Sequence, residues 1–179
     1  MHGIIFSALK KYVRTRLGDE AWTNLKTAAG LADRVYLPVQ TYPDEEIDAL
    51  IQTVAMLSGI TADQLLQDFG KSMIPEFLTV YRPLLHPEWR TLDLLEHIES
   101  KIHPAVRTNN PGARPPVLEI ERMTTSQVVI RYRSPRNWCA LGKGLIQGVA
   151  DHYGERVTIQ ETTCQRDRGE ACEITVTRA

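Results

Sequence analysis

Tyr132, Ser134 and Arg136 alternate along the stretch YRSPR at positions 132–136. In an extended chain alternate residues share one side, so a phenol, a hydroxyl and a guanidinium would stand in one row. A planar guanidinium is a two-pronged donor that matches a carboxylate or phosphate, and two hydroxyls add neutral hydrogen bonds beside it. Val128 and Ile130 fall on the same side as Tyr132, which argues that the row faces inward. On these residues alone the reading of a solvated strand end stays open. A second residue to weigh is His103, at the end of LDLLEHIESKIH; a lone histidine there is ordinarily a half-buried surface residue, and a metal-ligand role is the alternative. His97 competes for that role but lies on another side of the helix, and His2, His86 and His152 lack matching partners. Cys139, Cys164 and Cys172 are an odd number for a disulfide framework, which leaves metal binding, redox sensing or packing.

These residues need elements to position them. The first hundred residues read as helices, with apolar repeats at Ile5, Leu9, Tyr12 and Val13, and at Ile47, Leu50, Ile51, Val54 and Leu57. The first helix spans about 3–17 and the second 19–29, and Asp44 caps a third. Thr61 and Gln64 form a capping box for a helix through Leu65, Leu66 and Phe69. Pro75 kinks or restarts the segment 72–84. Another helix runs from Thr91 to His103, where Pro104 opposes continuation. The stretch TNNPGARPP (108–116) is a loop. Strands follow at 117–121 and 127–133, then a helix at 140–153 and a hairpin formed by 156–164 and 172–177. A helical half and a ββαββ half with an antiparallel sheet make an α+β fold, read as one domain over 1–179 with parts 1–107 and 108–179.

The chain is 42% hydrophobic with a formal charge of -1, an ordinary globular composition. It has no basic block that would favour nucleic acid or an anionic membrane. There is no apolar run of membrane-spanning length, and the start lacks a basic leader, so the expected location is the cytoplasm. There is no Ser-His-Asp spacing, phosphate-binding glycine loop or convincing carboxylate pair, so an enzyme is not expected.

The set of features carries more weight than any one of them. His103 lies 29 residues before Tyr132, and Pro116 lies thirteen residues after His103. Together with MHGIIF, Phe69–Gly70 and GLIQGVADHYG, they resemble the H-NOX (haem-nitric oxide/oxygen binding) family in order and spacing over essentially the whole chain. This is the family of the haem domain of soluble guanylate cyclases. DRVY at 33–36, SPR at 134–136 and the cysteine-bearing tail look like its stand-alone bacterial branch. The resemblance implies haem b between the two halves, with His103 as proximal ligand to the iron. It implies Tyr132, Ser134 and Arg136 as a clamp for the propionates and Pro116 pressing on the porphyrin. Ile5, Leu9, Met73, Phe77, Leu141 and Leu145 would wall the gas pocket.

Dioxygen-binding members of the family place a tyrosine in that pocket, and the matching position here is Leu141. The implied function is therefore a sensor that binds nitric oxide and carbon monoxide and excludes dioxygen. Nitric oxide would strain or break the bond from iron to His103, shift the two halves and signal to a separate partner, a histidine kinase or a cyclic-di-GMP enzyme. A subset of the family holds zinc on three cysteines and a histidine. Cys139, Cys164 and Cys172 match, Glu161 stands at the histidine position, and His152 is the other candidate for a fourth ligand. Two alternatives remain: a thiol and zinc sensor without haem, and a vinyl-reductase-like small-molecule module suggested by ETTCQRDRGEACEITV.

Overall fold

The computed structural model describes residues 1–167 and 169–179. The helical part comprises α1 (Gly3–Leu17), α2 (Ala21–Ala28), α3 (Asp44–Ser58), α4 (Ala62–Val80), α5 (Thr91–Glu96) and α6 (His103–Asn109). Strands β1 (Val117–Thr124) and β2 (Gln127–Arg133) follow, then α7 (Cys139–Tyr153), β3 (Val157–Thr163) and β4 (Cys172–Arg178). The antiparallel sheet has the order β1-β2-β4-β3. The expected α+β architecture is the observed one.

The helical core gathers Phe6, Leu9, Leu50, Leu65 and Phe69, and it reaches across to Trp138 and Ala140 at the start of α7. A second cluster pairs Val128, Ile130 and Tyr132 of β2 and Ile174 and Val176 of β4 with Leu92 and Leu95 of α5. The alternation along β2 thus buries one face, as a half-buried strand requires. α7 lies against α4 at glycine positions. A Cβ on Gly70 would stand 2.5 Å from the Leu141 carbonyl oxygen, and one on Gly148 would stand 2.6 Å from Ile74. A Cβ on Gly144 would strike the Gln67 carbonyl. The backbones approach this closely because no side chain intervenes.

Four local expectations are corrected. Asp44 does not cap α3; Pro43 holds that position and Asp44 is the first helical residue. Pro75 does not break the chain, since α4 runs unbroken from Ala62 to Val80 with Pro75 inside it. An interior proline costs about 3 kcal/mol, and here the burial of Leu66, Phe69, Met73 and Ile74 holds the helix together. Pro104 does not end its helix either. A π-helical turn at Ile98–Ile102 intervenes, the His103 amide donates to the Ile98 carbonyl, and Pro104 lies in the first turn of α6. A proline there needs no partner for its missing N–H. The loop therefore starts after Asn109 rather than at Thr108. Among the described residues no single helix is long and apolar enough to cross a membrane; α3 and α4 pass that test only together, as a pair bent by 107°.

Candidate functional site

A cavity of about 670 Å³ opens between the helical part and the sheet, within the range of small-molecule sites. Ile5 of α1, Met73 and Phe77 of α4, and Leu141 and Leu145 of α7 line it. His103, Pro116, Tyr132, Ser134 and Arg136 line it too. Leu9 does not. It is wholly buried in the helical core together with Phe6 and Val13, on a helix that packs against α2 and α4.

His103 is 8% exposed. Its Nδ1 lies 2.7 Å from Glu99 Oε2, one turn earlier. Glu99 also accepts from Arg107 Nη2 at 2.9 Å and from the Leu118 amide at 3.3 Å. Burial opposes ionisation of Glu99, but the bonds from Arg107 and His103 outweigh it and hold the carboxyl below its usual range. A carboxylate only accepts, so Nδ1 carries the proton and Nε2 keeps its lone pair. Burial draws the imidazole below its ordinary value despite Glu99, so the ring is neutral at pH 7. His97 is placed elsewhere: its Nδ1 is 2.8 Å from the Asp93 carbonyl and its ring stacks on Trp89.

The donor row is not one extended strand. β2 ends at Arg133, and residues 134–137 turn, with the Asn137 amide donating to the Ser134 carbonyl at 3.1 Å. Asn137 adopts a left-handed φ of 53°, which asparagine tolerates better than most residues. The turn still brings all three side chains to the cavity. Burial pushes the Tyr132 phenol up to about 12, so it remains a hydroxyl donor at neutral pH. Ser134 Oγ accepts from the Arg136 amide at 3.3 Å. Arg136 Nη1 donates to Asp44 Oδ2 at 3.1 Å, and Nη2 donates to the Arg114 carbonyl. Asp44 also pairs with the Met1 amino group. The work of Asp44 therefore lies in holding the guanidinium at the cavity edge. His2, which has no matching partner in the sequence, is 5% exposed and lines the cavity. Its Nδ1 accepts from the Ile4 amide, and its Nε2 is buried without a partner among the described residues.

The three cysteines converge at the N-terminal end of α7. Cys139 Sγ and Cys172 Sγ lie 3.9 and 3.6 Å from Cys164 Sγ, and an oxygen of Glu161 lies within 4.8 Å of all three sulfurs. Glu161 Oε2 accepts from Lys143 Nζ at 2.6 Å, while Oε1 is buried without a partner among the described residues. Burial raises the Cys139 and Cys172 thiols. Burial acts the same way on Cys164, but hydrogen bonds from Arg166 outweigh it and bring that thiol below its ordinary value. His152 is exposed in the last turn of α7 and lies outside this group.

Residues 2–161 match the sequence profile of the family described as Haem-NO-binding. The chain belongs to that family. Haem-NO-binding domains of this kind are gas sensors. The fold is shared with the H-NOX protein of S. oneidensis solved in the Fe(II)NO ligation state. The TM-score is 0.92 at 24% identity, over 100% of this chain and 99% of that one. The H-NOX protein from K. algicida, Fe(II) and unliganded, superposes with a TM-score of 0.88 at 24% identity, over 100% and 97% of the two chains. A curated relative, soluble guanylate cyclase gcy-31 of Caenorhabditis elegans, is 23% identical over 138 residues. The match covers 76% of this chain and 20% of that protein, so the chain spans about a fifth of that relative's length. The Haem-NO-binding match takes in His103 and the donor row, and it ends at Glu161, before Cys164 and Cys172.

Proposed function

We propose that the chain is a haem-based nitric oxide receiver that takes nitric oxide and carbon monoxide, excludes dioxygen and has no enzymatic activity of its own. One domain, residues 1–179, would hold haem b in the cavity. The receiver would act in the cytoplasm and pass its signal to a separate histidine kinase or cyclic-di-GMP enzyme. The observation that carries this reading is a buried imidazole whose Nδ1 meets Glu99 and whose Nε2 has no hydrogen-bond partner among the described residues, in a largely apolar cavity edged by Tyr132, Ser134 and Arg136. Family membership adds the identity of the group. The donor set fits haem: His103 Nε2 offers an axial ligand, and Tyr132, Ser134 and Arg136 offer donors to its propionates. The orphaned His2 Nε2 offers one more polar contact at the wall. Pro116 stands in that wall as a rigid residue against which the porphyrin would press.

Haem supplies the iron that takes the gas. The chain supplies the rest. His103 sits at the head of α6, next to a π-helical turn, an arrangement often found at functional sites. Strain or release at its ring would move α6 relative to β1, which Glu99 joins through the Leu118 amide. Ile5, Met73, Phe77, Leu141 and Leu145 exclude water and offer no donor to a polarised diatomic. Two phenols besides Tyr132 also line the cavity. The Tyr42 hydroxyl accepts from the Leu37 amide and donates to Gln40 Oε1, so its proton is already engaged; Tyr81 is the other phenol of the wall. Absorption spectra of the reduced protein test the reading. Nitric oxide and carbon monoxide each shift the main haem band, and air yields no stable dioxygen spectrum. A stable dioxygen spectrum in air overturns the selectivity.

We also propose that Cys139, Cys164, Cys172 and Glu161 bind zinc. Tetrahedral zinc with bonds of about 2.3 Å sets sulfurs roughly 3.8 Å apart, and the 3.6 and 3.9 Å separations fall on either side. Glu161 Oε1, without a hydrogen-bond partner among the described residues, would be the fourth donor, and Lys143 on Oε2 fixes the carboxylate. Metal analysis of protein purified under reductant should give close to one zinc per chain, and Cys172→Ser should lose most of it. Zinc far below one per chain in the parent protein removes the site and leaves three packed thiols.

A further inference from the structure

A proximal histidine is only as strong a donor as its second nitrogen allows. The ring nitrogen that does not face the metal sets how much electron density the ligating one gives, and a carboxylate partner there raises ligand basicity. Glu99 stands in that place. It lies four residues before His103, and its Oε2 is 2.7 Å from Nδ1. Arg107 Nη2 at 2.9 Å and the Leu118 amide at 3.3 Å pin the same carboxylate. The charge is therefore fixed in place by groups from α6 and β1, and Arg107 draws part of it away from His103.

We propose that Glu99 is a positioning residue that tunes the bond between His103 and the haem iron: by accepting the Nδ1–H it gives the imidazole partial anionic character and strengthens its hold. This inference rests on the reading of His103 as the axial ligand. The consequence is a sensor with a raised threshold. With its Nδ1 proton held by a fixed carboxylate, His103 would be harder to release from the iron than the same residue beside a neutral partner. The same donation stabilises ferric over ferrous iron and lowers the midpoint potential. Arg107 works against both effects, which makes its charge a second control on the same bond.

The test compares the haem-loaded parent with Glu99→Gln, Glu99→Leu and Arg107→Leu. Glutamine keeps the shape and a hydrogen-bond acceptor but removes the charge; leucine removes both. In resonance Raman spectra of the reduced, unliganded protein, the iron–histidine stretching band moves to lower frequency in Glu99→Gln and further in Glu99→Leu. The midpoint potential rises in the same order, and Arg107→Leu shifts both quantities the opposite way. On nitric oxide binding, the fraction that keeps its histidine bond falls in both Glu99 variants. A Glu99 that only braces α6 would leave band and potential unmoved in the glutamine variant. That outcome, with full haem content, overturns the proposal and leaves His103 as ligand. An iron–histidine band absent from the parent overturns the reading beneath it as well.

Discussion

Haem retained per chain falls by about tenfold or more in His103→Gly, and imidazole added to the buffer restores it. The size follows from the donor set: losing a residue that merely orients a metal ligand costs about 10–100-fold in metal affinity, and here the ligand itself is removed. The fold should survive the change. Glycine costs about 1 kcal/mol in a helix interior, and His103 opens the short α6 rather than sitting in a hydrophobic core cluster. Far-ultraviolet circular dichroism of the variant should therefore match the parent. Free imidazole can enter the space left by the ring and supply the nitrogen, which separates a ligand role from a packing role. His97→Ala is the control and keeps its haem, because that ring is stacked on Trp89 and bonded to the Asp93 carbonyl, away from the cavity. Full haem content in His103→Gly without imidazole would sink the assignment.

What the sequence discloses and what it hides follow from the range of the interactions involved. The Thr61–Gln64 capping box is present, with the Gln64 amide donating to Thr61 Oγ1 and the Thr61 amide to Gln64 Oε1, because it needs only residues three apart. The alternation of β2 is equally local. The cysteine cluster is legible because a hairpin sets Cys164 opposite Cys172 and the helix bearing Cys139 packs over it.

Asp44 is different. Local rules give an aspartate before a helix a capping role, but its partner Arg136 is 92 residues away, and no spacing rule reports such a pair. Pro75 and Pro104 read as breaks on the same local logic. One is overridden by packing along α4, the other by a π-helical turn that moves the proline into a first turn. Glu99 escapes the motif reading although a signal exists: HIESKIH places a carboxylate four residues before the candidate ligand, on the same helical face. The row from Tyr132 to Arg136 faces inward as expected, but by a turn at 134–137 rather than by strand alternation. Leu9 shows the converse error. Its spacing of four from Ile5 places both on one face, yet the core takes the deeper residue and the cavity takes the other.

A single hydroxyl in the gas pocket should change which diatomic stays bound. Leu141 lies in the first turn of α7, is partly buried and lines the cavity. Tyrosine at that position extends its ring into existing space rather than into a packed core, so the strain of overpacking, about 1–3 kcal/mol in a filled interior, is largely avoided. Dioxygen held in the pocket is polarised and accepts a hydrogen bond strongly, whereas nitric oxide and carbon monoxide depend on one far less. A hydrogen bond to a charged group contributes about 1.5–3 kcal/mol, and about 1.4 kcal/mol is a factor of ten in affinity. Leu141→Tyr should therefore hold dioxygen about 10- to 100-fold more tightly than the parent, read as a slower dissociation rate and a stable spectrum in air. Carbon monoxide affinity should change by much less. Leu141→Phe separates bulk from chemistry: it adds the ring without the hydroxyl and should show no gain. Equal retention of dioxygen by the tyrosine and phenylalanine variants would mean that the hydroxyl does not reach the ligand. The absence of a donor at position 141 would then not be what excludes dioxygen.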